Sequence, residues 1–124
     1  HRVVTSRTVL SVRVDGSLYF ANTRYLEDCI YDQVVTRPEL KHVVLMCTAV
    51  NRIDASALEG LESLVRRLAE AGVTLHLSEV KGPVMDRLKR SDFLERLTGQ
   101  VFLSQFQALQ ALDPAVAARA HEPA

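Results

Sequence analysis

The stretch that decides the fold runs from 43 to 77. It opens with Val43-Val44-Leu45-Met46-Cys47 and crosses a polar segment, Asn51-Arg52-Ile53-Asp54. It continues with Leu58, Leu61, Leu64, Val65 and Leu68 at helical spacing, and closes through Ala71-Gly72 into Val73-Thr74-Leu75-His76-Leu77. A short apolar run bounded by polar residues reads as a buried strand, and the three-and-four spacing reads as a helix with one apolar side. Strand, helix and strand form one compact unit. The hand-over from the first strand to the helix is the natural place to look for function.

Working toward the N-terminus, Val9-Leu10-Ser11-Val12-Arg13-Val14 alternates as a strand with one buried face. Asp15-Gly16 is a hairpin signal, so Ser17-Leu18-Tyr19-Phe20 is expected to return as a second strand. Asn22 or Thr23 can cap the next helix, on which Leu26, Ile30 and Val34 form a stripe with Tyr25 and Cys29 nearby. That helix should end before Arg37-Pro38, because a residue preceding proline avoids the helical region.

Toward the C-terminus, Gly82-Pro83 marks a turn into a short helix with Val84, Leu88 and Met85 inward. Asp92 and Glu95 suggest a second start, with Asp92 capping. Val101-Phe102-Leu103 suits an edge strand, and Ser104 or Gln105 begins a helix carrying Phe106, Leu109 and Leu112. From Asp113 onward no core stripe is visible, so 113–124 is expected to be a flexible tail. Strands alternating with helices predict an α/β layer architecture. The expected hairpin would make its sheet mixed but mostly parallel, with four to five strands and four to five helices.

The bulk properties narrow the function. A chain of 124 residues is one domain, and 48% hydrophobic with 24% charged content is ordinary for a folded chain. The formal charge is zero, which leaves no electrostatic footprint for nucleic acid. No segment approaches the roughly 18 to 20 apolar residues of a membrane span, and no signal peptide is recognisable. Cys29 and Cys47 are expected to be reduced and packed in or near the core. The chain begins with His1 and enters strand-like sequence almost at once, which suggests a piece of a longer polypeptide.

Catalytic signals are weak. His1, His42, His76 and His121 lack ligand spacing, so no metal site is expected. Neither a glycine-rich phosphate loop nor a nucleophile elbow is present. Asp54 reads first as a helix N-cap, whose side chain accepts from an exposed N–H and complements the positive helix end. Ser56 would lie in the first helical turn. A phosphate on it would meet favourable N–H groups but also the Asp54 carboxylate.

Asn51-Arg52-Ile53-Asp54-Ala55-Ser56-Ala57-Leu58-Glu59-Gly60-Leu61 resembles the signature of STAS domains. Val12-Arg13-Val14-Asp15-Gly16-Ser17-Leu18-Tyr19-Phe20-Ala21-Asn22 is similar to the version at the cytoplasmic C-terminus of SulP-type anion permeases. So are Val80-Lys81-Gly82-Pro83-Val84, Leu88 and Leu94-Glu95-Arg96-Leu97. Three blocks in the right order carry the resemblance from Val9 to about Leu112, and place a STAS domain at 1–112.

The resemblance implies a non-catalytic regulatory or interaction domain on the cytoplasmic side of the inner membrane, within an integral membrane transporter of sulfate or a related anion. Its implied partner is the transmembrane part of its own permease, with homodimerisation through the full transporter left open. Asn51, Arg52, Asp54 and Ser56 are the candidate partner-binding residues. In the antagonist branch of the family the motif reads Asp-Ser-Ser/Thr-Gly and its first hydroxyl residue is phosphorylated. Here Ala55 stands at that position and Ala57 replaces the usual glycine. That departure argues against a phosphorelay and leaves Ser56 as the remaining hydroxyl. The competing reading is a free-standing anti-sigma-factor-antagonist-type module. Some relatives associate with acyl carrier protein or guanine nucleotide. Arg66, Arg67, Lys81, Arg87, Lys89 and Arg90 could face an acidic carrier protein, and no residue here signals a nucleotide or another cofactor.

Overall fold

A computed structural model describes residues 6–121. Four strands and six helices alternate among them. Strand β1 (Val9–Arg13) leads to helix α1 (Phe20–Thr36), β2 (His42–Met46) to α2 (Ala55–Glu70), and β3 (Thr74–Ser78) to α3 (Gly82–Lys89) and α4 (Phe93–Arg96). Strand β4 (Val101–Phe102) then leads to α5 (Gln105–Leu112) and α6 (Pro114–His121). The strands lie in the order β1-β2-β3-β4, and every ladder among the described residues is parallel. The expected α/β architecture is therefore present.

Side-chain alternation divides the core. Val43, Leu45, Leu75 and Leu77 point to one face, where Ile30, Leu61, Leu64, Leu68 and Leu88 are almost wholly buried against them. Each such side chain contributes roughly 1.5–3 kcal/mol of burial. Val44 and Val9 point to the other face and meet Ala108 of α5. Helix α2 follows from its sequence. The apolar positions make one stripe, Asp54 caps its start, and Gly72 ends it with a left-handed φ of 77° that L side chains rarely adopt.

Three expectations need correction. Asp15-Gly16 does not make a hairpin. Gly16 turns with a φ of 133°, and the chain then touches the sheet through one parallel bridge, Leu18 to Ile53. Leu18 donates its N–H to Arg52 O (2.8 Å) and accepts from Asp54 N–H (3.2 Å), so this segment laces two loops together. Helix α1 accordingly starts at Phe20, ahead of both suggested caps. Asn22 still supports it by reaching back, with Oδ1 accepting from Tyr19 N–H (2.7 Å) and Nδ2 donating to Ser17 O (2.6 Å).

Second, Asp92 makes no side-chain cap on α4. Ser91 Oγ accepts from Phe93 N–H instead (3.1 Å). Third, the stretch after Asp113, read as lacking any core stripe, is helical from Pro114 to His121 and buries Val116 and Ala117. Two adjacent small apolar residues are enough to hold a short helix, yet too few to show a period. Helix α5, by contrast, begins at Gln105, one of the two expected starts, and Ser104 caps it by accepting from Gln107 N–H (3.1 Å).

Candidate functional site

Parallel strands send all their C-terminal ends to one edge of the sheet, and the loops there gather the predicted residues. The β2–α2 crossing supplies Asn51, Arg52 and Asp54, and the first turn of α2 supplies Ser56. Asp54 Oδ1 accepts from Ala57 N–H (2.8 Å) and from Ser56 Oγ (2.9 Å). The carboxylate thus ties down both a backbone donor and the hydroxyl. Asp54 and Ser56 are half-buried, while Asn51 and Arg52 are exposed.

Asn51 Oδ1 accepts from Lys81 Nζ (2.7 Å), which joins the loop after β3 to the loop after β2. Arg52 N–H donates to Ser17 Oγ (3.1 Å), which adds the loop after β1. Its guanidinium is left to solvent. The four residues read from the sequence therefore do share one surface, with Ser17 and Lys81 added as neighbours. Beside it lies a groove of about 450 Å³ between α1 and α2, reaching from Phe20 and Ser56 to Arg67. Gly60 lets the helices close at its floor, where an added Cβ would come within 2.8 Å of Thr23 Cγ2. Thr23 Oγ1 is buried there without a hydrogen-bond partner, and burial raises the Glu27 carboxyl against the lowering pull of Arg67.

The cysteines part company. Cys47 is buried and its thiol is pushed up to about 12 by desolvation, so it is inert core. Cys29 is exposed rather than packed in the core, because it falls just off the Leu26–Ile30 stripe.

Sequence reasoning missed one polar pair. His42 on β2 and His76 on β3 meet through Nδ1 and Nε2 at 3.1 Å. Histidine spacing alone does not show this. The signal lay in strand register, since His42 opposes Thr74 and His76 opposes Val44, which puts both rings on one face.

Residues 2–108 match the STAS domain family. This chain is a STAS domain. It is 30% identical over 122 residues to Sulfate transporter 3.2 of Arabidopsis thaliana, covering 90% of this chain and 19% of that transporter. The STAS domain therefore spans about a fifth of the relative it matches. Among solved structures it resembles a sulfate transporter family protein from Wolinella succinogenes (TM-score 0.78, 26% identity, 93% of this chain and 92% of that one). A putative anti-sigma factor antagonist from Thermotoga maritima shares the fold (TM-score 0.73, 14% identity, 89% of this chain and 91% of that one). Fold alone does not separate the two branches, and the sequence relatives favour the transporter branch. No helix among the described residues is long and apolar enough to cross a membrane.

Proposed function

We propose that this STAS domain is the non-catalytic regulatory and interaction module at the cytoplasmic C-terminus of a SulP-type anion transporter, attached at the inner membrane. The observation that carries the reading is the match to a sulfate transporter over nine-tenths of the domain but under a fifth of the transporter's length. The membrane part would move the anion. The STAS domain would bias assembly or transport through the edge formed by Asn51, Arg52, Asp54 and Ser56, with the permease's own membrane part as partner.

Geometry supports a docking role for that edge. The Asp54 carboxylate is spent on holding the helix start, so it presents a shaped surface instead of a free base. The exposed Arg52 guanidinium offers a charge for recognition. The basic residues considered for an acidic carrier protein are partly committed. Arg67 lies over the Tyr31 ring (4.2 Å) and near Glu27, and Lys81 holds Asn51. The exposed Arg66 on α2 and Arg87, Lys89 and Arg90 at the end of α3 are the ones left for such a partner.

The test is anion uptake by the parent transporter carrying Arg52→Ala, Asn51→Ala or Ser56→Asp. Uptake should fall for at least one variant while membrane abundance and the melting temperature of the isolated domain hold. Unchanged uptake in all three would reject the docking edge.

The free-standing antagonist reading is compatible with the shared fold, which both branches have. It requires phosphate to enter the α2 start, where Ala55 offers no hydroxyl and Ser56 already donates to Asp54. Incubation with an anti-sigma kinase and ATP should leave the STAS domain unmodified, and stoichiometric incorporation would favour the antagonist branch. A thermal scan with saturating GTP or ATP checks the nucleotide question, since a ligand that binds only the folded state raises the melting point.

A further inference from the structure

We propose that His42 and His76 form a proton-operated latch that holds β4 and the loop before it onto the sheet. When both rings are neutral they close a chain of hydrogen bonds, and when proton uptake breaks that chain the latch opens.

The chain has a single direction. Gln100 N–H donates to His76 Nδ1 at 3.1 Å, so Nδ1 must carry a lone pair. The neutral ring then bears its hydrogen on Nε2, which donates to His42 Nδ1 at 3.1 Å. His42 in turn keeps its hydrogen on Nε2. Every acceptor in the series is used. A proton added to either Nδ1 sets two donors against each other, and shifting the His76 tautomer only moves the conflict to Gln100.

The ring has no room to step aside. His76 is 4% exposed, and a Cβ at Gly99 would collide with His76 Nδ1 and Leu75 O, so the loop backbone lies directly on the imidazole. Phe102 closes the remaining side, with ring centroids 5.6 Å apart. Besides the two-residue β3–β4 ladder and the bond from Glu79 N–H to Phe102 O (3.3 Å), two hydrogen bonds tie the loop to β3. Leu77 N–H donates to Gln100 O (3.0 Å), and Leu75 N–H reaches Thr98 Oγ1 (3.3 Å).

The surrounding charges do not rescue a protonated pair. Just before β2, Lys41 beside His42 opposes a second positive charge. On β3 the flanking residue of the same face is Thr74, opposite His42, and on β1 Val9 opposes His42. Strand β4 contributes Val101 and Phe102, the loop contributes Gly99 and Gln100, and α5 carries no ionisable side chain from Gln105 to Leu112. Among the described residues no carboxylate forms an ion pair with either imidazole. Burial, and then repulsion from His42, hold the His76 pKa down to about 4; burial, and then Lys41, lower that of His42. His42 is half-buried, so protons enter from its side.

The test is amide exchange and imidazole nitrogen-15 shifts of the 124-residue STAS domain between pH 7 and pH 4. At neutral pH His76 should show the Nε2–H tautomer. As the rings titrate, protection of the Gln100 and Leu77 amides should fall roughly tenfold or more while α2 amides keep theirs. His42→Gln keeps an acceptor for His76 but cannot take a proton, so loop release should move to lower pH and become shallower. Three results would overturn the latch: loop protection unchanged through the titration, α2 losing protection at the same pH, or His42→Gln releasing the loop as the parent does.

Discussion

At the scale of single residues, Asp54 does two jobs with one oxygen. Removing it by Asp54→Ala should cost about 1 kcal/mol of stability through the lost cap, readable as a lower denaturant midpoint with an unchanged slope. Ser56→Ala leaves the bond from Ala57 intact and should move stability far less, so an uptake defect in that variant would belong to docking. Glu79 is a second such residue. Its φ of 59° is unusual for a non-glycine residue, and it is held there because Oε2 accepts from Gln105 N–H at 2.7 Å. Glu79→Ala should lose that tie and keep the backbone strain, whereas Glu79→Gly relieves the strain. The glycine variant should therefore be the more stable of the two in thermal melts.

At the scale of elements, α1 and α2 pack tightly at Gly60. Alanine is a better helix former than glycine by about 1 kcal/mol, yet Gly60→Ala should destabilise because the new methyl meets Thr23 Cγ2. Pairing it with Thr23→Ser removes that methyl and should recover most of the loss. A double-mutant cycle measures the coupling, and simple additivity would show that the clash is absorbed elsewhere. The central unit was legible because α2 repeats its apolar positions over sixteen residues and carries its own cap and glycine stop. The segment Ser17–Phe20 was not. Asp15-Gly16 is a local turn signal, but the loop goes on to pair with Ile53 across 35 residues, and nearest-neighbour reasoning does not see such a partner. Asp92 was read as the α4 cap and Ser91 accepts from Phe93 N–H instead, since both residue types suit such a bond and adjacent positions are not told apart by sequence.

At the scale of the whole molecule, the histidine pair makes stability depend on pH. His76 has a folded pKa near 4 against an unfolded 6.5, so the unfolded chain binds the proton more readily. Its contribution is complete above pH 6.5 and is lost as pH falls toward 4, about 3 kcal/mol in all by the linkage relation. His42, also lowered, adds in the same direction. Urea unfolding at pH 7.5 and pH 4.5 should show this loss, and His76→Phe should flatten it if the variant folds. The pair was hidden because it arises from register between two strands and not from any spacing in the chain. The four predicted site residues, in contrast, sit within six positions of one another, and a parallel sheet delivers such a cluster to one rim without further information.

The unequal thiols lend the molecule a practical handle. A maleimide dye should attach to α1 at Cys29 and spare Cys47, giving a singly tagged protein without engineering. Energy transfer from that dye to a lipid-anchored acceptor would then report how far this face of the helix rides from a bilayer.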